Sequence, residues 1–284
     1  MKRKKIFYVI LLTLVTAIST FLFTHAAATT YAVGLGVILL SLTVLWLVSL
    51  TIKDASIIDV FWGLGFFIIA WLYGSQVGFE LLSTRNWVLL MMVTVWGLRL
   101  TIYLAIRNLG KGEDYRYVAM RKQNGKHFWW ISYFRVFVLQ GFLLWMISAV
   151  YLPALSVSGS LLLLDYLGIL FWSIGLFFEA VGDAQLRRFK QNPANYGKVM
   201  DKGLWHYTRH PNYFGDAMVW WGFFMFGLSQ WQGLYFIFCP LIMTLFLLKV
   251  SGVALLETKL KKTKPQYAEY IRKTPAFIPG LPKK

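Results

Sequence analysis

The sequence predicts an all-α polytopic membrane bundle of about eight transmembrane helices, with both termini cytoplasmic. Three observations carry this. Of 284 residues, 58% are apolar and only 14% charged, too few to cover the surface of a water-soluble chain of this size. The apolar residues fall in runs about as long as a bilayer core requires. The net charge of +17 is confined to the segments between alternate runs.

The first element is a basic cluster, Lys2 to Lys5, leading into the apolar run Ile6–Phe23. His25-Ala-Ala-Ala-Thr29 has some character of a signal-peptidase site, but the run before it is longer than a signal core, which predicts a retained first span. Residues 1–30 are therefore an additional transmembrane helix ahead of a membrane domain over 31–284. Further spans are expected at Ala32–Ile52, Ile57–Tyr73, Trp87–Ile106, Phe134–Tyr151, Leu161–Val181, Tyr213–Leu228 and Gly233–Val253. With the N-terminus inside, the cytoplasmic segments hold 26 of the 29 lysines and arginines, and the opposite loops hold only Arg85. That asymmetry fixes the orientation. It also argues against nucleic acid as the reason for the positive charge, since the basic residues sit as topology determinants and no nucleic-acid motif interleaves them. Cys239 is the single cysteine, so no disulfide forms within the chain.

Two cytoplasmic loops have enough pattern for structure. Lys111 to Lys126 is polar with spaced apolar residues and runs into His127-Phe-Trp-Trp130, a short interfacial helix with an aromatic anchor. Gln191 to Asp201 is rich in turn formers.

The most informative stretch is Gly203-Leu-Trp-His-Tyr-Thr-Arg-His-Pro-Asn-Tyr-Phe-Gly-Asp216, which runs into an apolar segment. Pro211 has no N–H and disfavours helix at His210, so a helix is expected to begin just after it. Its free N–H groups, with Arg209 and His210 alongside, suit a phosphate or another anion. The plain alternative is an interface anchor made by Trp205, Tyr207 and Tyr213. His206 and His210 are spaced like half of a zinc site but have no third ligand near them, so no metal is expected.

Ionisable residues within apolar runs are costly and mark functional positions. Here they are Asp59, Arg99, Glu179, Asp183 and Asp216, with Lys249 and Glu257 near the end of the last span. Glu179, Asp183 and Arg187 follow one face of the sixth helix at intervals of four, with Lys190 nearby. Arg99 needs an anionic partner, for which Asp183, Glu179 or a phosphate would serve; Tyr103 lies one turn along the same face. Asp59 opens the third span as a helix-end polar residue or a cavity-facing acid.

The block Arg209-His-Pro-Asn-Tyr-Phe-Gly-Asp216 resembles the signature of the steroid 5α-reductase C-terminal family. The likeness extends from about Asp59 to Pro279. It is greatest to that family's uncharacterised bacterial membrane proteins, through Asp59-x-x-Trp62-Gly63, Trp96-Gly-Leu-Arg99-Leu, Gly110-Lys-Gly-Glu-Asp-Tyr-Arg116 and Gly182-Asp-Ala-Gln-Leu186. The resemblance implies a multi-pass protein, of the bacterial inner membrane, that reduces an activated C=C bond of a lipid-like substrate, of steroid or isoprenoid type, with NADPH. It implies that Arg99, Tyr103, Asp183, Arg187 and Lys190 line the cofactor and that Asn212 and Asp216 lie beside the nicotinamide. The residues themselves suggest that Arg99, Arg187, Lys190, Arg209 and His210 face phosphate charge, and that Asn212 and Asp216 bond ribose or carboxamide. Asp59, Glu179 and Tyr213 are the candidates for polarising and protonating the acceptor.

The chain departs from the steroid reductases at Trp96, where they have a tyrosine, and at Ala254-Leu-Leu-Glu-Thr-Lys259, where they carry an arginine and histidines. Glu257, Tyr267-Ala-Glu-Tyr270 and the closing Phe277-Ile-Pro279 are similar instead to the isoprenylcysteine and phospholipid methyltransferases. That likeness implies S-adenosylmethionine as the alternative cofactor, with Glu257 suited to its ammonium group. A non-catalytic lipid-binding or transport protein is the third reading, although no repeated half-domain supports transport.

Overall fold

Long apolar runs leave helix as the way to satisfy backbone N–H and C=O groups in lipid. The computed structural model describes residues 25–108, 110–250 and 253–282, and it is helical throughout, with no strand among those residues. The expected first span at Ile6–Phe23 lies outside the described residues.

The helices are α1 (His25–Ile52), α2 (Ile57–Val77), α3 (Thr84–Asn108), α4 (Tyr115–Asn124), α5 (Phe128–Ser132), α6 (Leu139–Ser148), α7 (Tyr151–Leu155), α8 (Leu163–Gln191), α9 (Leu204–Tyr207), α10 (Pro211–Gly227), α11 (Phe238–Leu245), α12 (Val253–Thr263) and α13 (Tyr267–Lys273). Among the described residues, six stretches are long and apolar enough to cross a membrane: Ala27–Ile52, Ile57–Val77, Thr84–Asn108, Tyr115–Ser148, Leu163–Gln191 and Trp231–Lys249. Of the expected spans that the described residues cover, the one not among these six is α10, whose 17 residues rise only about 25 Å, short of a bilayer core. Two boundaries also differ. The expected interfacial helix and fifth span form one nearly continuous stretch, joined by a π-helical segment at Tyr133–Val138. Helix α8 runs ten residues past Val181 and so carries Glu179, Asp183, Arg187 and Lys190 on one rod.

The chain divides into two units. The first comprises residues 1–161 with 227–236. Its helices α2 and α3 touch at Gly63 and Gly97, where a Cβ on Gly97 would lie 2.6 Å from the Gly63 carbonyl oxygen. Around that crossing lie Phe66, Ile69, Leu89, Val93 and Trp96, all buried. Gly141 of α6 makes room for the Leu42 side chain of α1, whose Cδ1 would lie 2.5 Å from a Cβ added there. Arg85, which the charge pattern marks only as the exception to the topology rule, is fully buried. Its Nη1 donates to the carbonyls of Ala154 (3.1 Å) and Val157 (3.2 Å), and Asn86 donates to Leu155 and Val157. Together they satisfy the carbonyls left open where α7 ends.

The second unit comprises residues 162–226 with 237–284. Its frame is a glycine seam. Gly168, Gly175 and Gly182 recur every seventh residue on α8 and face Gly222, Gly215 and Pro211 of α10 in reverse order. A Cβ on Gly175 would lie 2.5 Å from the Gly215 carbonyl oxygen and 2.7 Å from the Val219 nitrogen. Backbone lies directly on backbone, the packing that small residues allow in membranes.

Candidate functional site

The second unit places the stretch Gly203–Asp216 at the Gly182–Pro211 end of this seam. Glycine 203, at φ 61°, turns the chain into the single-turn helix α9. Gln185 of α8 accepts the Leu204 N–H (3.0 Å), and Trp205 Nε1 donates to the Gly182 carbonyl (3.0 Å). Thr208 is then extended, and residues 207–209 pair with the C-terminal segment. Arg209 N–H donates to Pro275 O (2.9 Å), Thr208 Oγ1 to Phe277 O (2.8 Å), and Gly280 N–H to Tyr207 O (3.0 Å). Helix α10 starts at Pro211 itself rather than just after it, proline occupying the first helical position, where its missing N–H costs nothing.

Arg209, His210 and Glu257 form one cluster. Arg209 is 7% exposed; its Nε and Nη2 donate to Glu257 Oε1 at 2.8 and 2.7 Å, while Nη1 donates to the carbonyls of Ile271 and Thr274. His210, also buried, places Nε2 3.3 Å from the same carboxylate oxygen and stacks flat on Tyr213, with ring centroids 5.5 Å apart. Burial alone would raise the Glu257 pKa, but the hydrogen bonds from His210 and Arg209, with their charges, outweigh it and hold the carboxyl below its ordinary 4.5. Tyr267 and Tyr270 pack edge-on beside the cluster, and burial pushes both phenols well above the usual tyrosine range. Sequence reasoning offered Arg209 to a phosphate; in the fold, its donors go to Glu257 and to the end of α13.

Next to that cluster, Asn212 Nδ2 donates to Asp183 Oδ1 at 3.1 Å, joining α10 to α8. Asp183 and, one turn deeper, Glu179 are both buried, and Glu179 lies where Gly215 leaves room for it. Asp216 follows one turn beyond Asn212 and is half-buried. Arg187 and Lys190 lie on exposed turns of α8.

The remaining predicted residues belong to the first unit. Arg99 and Tyr103 share a face of α3, the guanidinium carbon lying 5.3 Å from the ring centre. Asp59 is held by two residues that sequence reasoning did not select. Arg116 Nη2 donates to Oδ2 at 2.5 Å and the Tyr117 hydroxyl to Oδ1 at 2.8 Å. Behind Tyr117 stands Gln140, which accepts from Trp62 Nε1 at 2.7 Å. The motif at 110–116 thereby gains a local meaning. Asp114 caps α4, and Glu113 accepts from the Ala55 N–H (2.9 Å) and from two nitrogens of Arg121. The motif latches α4 onto the start of α2. The readable signal was the acid pair Glu113-Asp114 ahead of a helix with arginines at 116 and 121.

The chain matches the DUF1295 family, described as a protein family of unknown function, over residues 45–274. It belongs to that family. DUF1295 is itself steroid 5α-reductase-like, so the resemblance read from the motifs holds at the level of the superfamily. An uncharacterized protein of Schizosaccharomyces pombe, C594.04c, is 25% identical, covering 88% of this chain and 80% of its own length. A probable O-methyltransferase, ustE of Ustilaginoidea virens, is 36% identical over 73 residues, a quarter of this chain and 26% of its own. No solved structure matches. The S. pombe relative is fungal, so the expectation of a bacterial inner membrane finds no support in it; a multi-pass membrane chain is what the helices support.

Proposed function

We propose that this DUF1295 protein is a membrane reductase that uses NADPH to reduce an activated C=C bond in a lipid-like substrate. Its cofactor side and both termini then face the cytoplasm, where the lysines and arginines concentrate. The observation that carries the reading is the Asn212–Asp183 hydrogen bond beside buried Glu179, on a helix pair whose glycines already account for its packing. Acids this deep among apolar helices are costly and mark functional positions. The donor set fits a nicotinamide. Asp183 takes one N–H of Asn212, leaving its carbonyl oxygen and second N–H to pair with a carboxamide. NADPH, when bound, would supply the hydride. Asp183 fixes the Asn212 amide in orientation, and Asp216 lies one turn on to bond ribose. Glu179 holds the proton that polarises and then protonates the acceptor, in surroundings that exclude water. Arg209 is engaged by Glu257, and Arg187 and Lys190 lie on exposed turns of α8, where they would meet the coenzyme phosphates.

The second reading is S-adenosylmethionine-dependent methyl transfer. It is favoured by Glu257, whose Oε1 receives Arg209 and His210 while Oε2 remains to meet an ammonium group, and by the short likeness to ustE. Thermal unfolding of the purified protein with each cofactor separates the two. NADPH should raise the melting temperature and S-adenosylmethionine should not; stabilisation by S-adenosylmethionine alone replaces the first reading with the second.

A further inference from the structure

The stretch Tyr115–Ser148 is longer than a membrane needs. It has 34 residues, whereas about 20 cross a bilayer core. Counted back from Ser148, about 20 residues reach Trp129. Trp129 and Trp130 therefore come to the edge of the hydrocarbon, and the residues before them lie among the headgroups. Helix α1 holds them there. Trp46 Nε1 donates to the Trp129 carbonyl at 2.9 Å, and the two indoles stack with centroids 6.4 Å apart. Tyr133 lies 4.8 Å from the same Trp46 ring, and its hydroxyl is 3.0 Å from Thr43 Oγ1. Helix α5 is fixed to α1, yet Trp129 and Trp130 stay 55% and 44% exposed.

Arg135 is the residue that this depth leaves without a reason. It lies about 9 Å past Trp129 into the span, and it is exposed. A cation facing lipid at that depth is costly unless it reaches back to the interface and meets an anion. Between Asp114 and Asp165 the chain has no acid to offer it. Lys122 and Lys126, exposed and ahead of the tryptophans, already serve topology, which calls for no further cation inside the span. Arg121 belongs to the scaffold instead: Glu113 holds its guanidinium, which lies 4.3 Å from the centre of the buried Phe128 ring. Arginine offers a planar fork for two oxygens of one phosphate, and nearby lysines add attraction for an anion.

We propose that Arg135, with Lys122, Lys126, Trp129 and Trp130, binds the headgroup of an anionic phospholipid. Arg135 takes the phosphate from the hydrocarbon side, the two lysines supply the preference for net negative charge, and the tryptophans sit at the level of the glycerol. The site lies wholly in the first unit and does not depend on the reductase reading.

The test uses the full-length chain in phosphatidylcholine vesicles doped with brominated phosphatidylglycerol or brominated phosphatidylcholine. Bromine quenches nearby indoles, and the emission of Trp129 and Trp130 is the difference between wild type and W129F/W130F. Phosphatidylglycerol should quench that emission with an affinity about fivefold or more above that of phosphatidylcholine. R135Q should bring the ratio to within about twofold of one, with R135K between, and K122Q/K126Q should lower it. Raising salt to about 0.5 M should lower the wild-type ratio, a reading that needs no variant to assemble. A wild-type ratio near one overturns the proposal and leaves a plain aromatic anchor. A ratio that R135Q or K122Q/K126Q leaves at the wild-type value overturns it too, since the chain's charge at large then draws the lipid. So does a wild-type ratio indifferent to salt.

Discussion

Arg209 and Glu257, 48 positions apart in the chain, are joined by two nitrogens on one carboxylate oxygen, at 2.8 and 2.7 Å. With Nη1 on the carbonyls of Ile271 and Thr274, this contact ties the segment before α10 to both α12 and α13. Removing the acid would leave a guanidinium that is only 7% exposed without its counter-charge. Glu257→Ala should cost about 3 kcal/mol of stability, read as a lower melting temperature in detergent. An unchanged melting temperature would show that the pair adds nothing to the fold.

The same carboxylate makes stability pH-dependent, with a definite sign. Its folded pKa lies below the ordinary 4.5, so its contribution is complete above that value and is lost as pH falls through the folded one. The difference in melting temperature between wild type and Glu257→Gln should stay constant from neutral pH down to about 4.5 and narrow below it. A gap that closes nearer neutrality would assign the dependence to another group.

Asp59 should act as a latch in the first unit. Asp59→Ala removes the acceptor for Arg116 and for the Tyr117 hydroxyl, leaving a buried phenol poorly paired. The expected cost is about 2 kcal/mol locally. Helix α4 should then open more often, and trypsin should cut after Arg116, Arg121 or Lys122 faster than in wild type. Equal cleavage rates would refute the latch.

The glycine seam predicts a steric effect. Gly175→Leu would drive a side chain into the backbone of Gly215 and Val219. Destabilisation of about 3 kcal/mol or more, or failure to assemble, is expected. Gly36→Leu, on α1, where an added Cβ meets no atom within 4 Å, is the control and should be nearly neutral.

Much of the helical layout was legible because it depends on local quantities: apolar run length, the placement of lysine and arginine, and Pro211 at a helix start. Depth and partnership were not. The 17-residue α10 looks like a span by composition, and only the backbone contacts with α8 show what it packs on. Gly168, Gly175 and Gly182 stand in the sequence at plain seven-residue spacing, yet a glycine's role depends on what approaches it. Asp59, Glu179 and Asp183 stood out because charge is costly in lipid. The Asp183 partner Asn212 stood out with its motif, but the Asp59 partners Arg116 and Tyr117 lie in a polar segment where nothing in the local pattern distinguishes a buried donor from a solvated one. Arg209 was read as open to ligand because its partner Glu257 is remote in sequence.

Contact between bare backbones has a mechanical corollary. A helix pair that meets through long side chains can slip by small amounts as rotamers change. The α8–α10 pair has no such compliance, because carbonyl and amide groups interlock at every second turn. The next equivalent register is a full heptad away, about 10 Å. Any movement within this unit must therefore carry α8 and α10 as one rigid piece, with Asp183, Asn212 and Glu179 keeping their mutual geometry throughout.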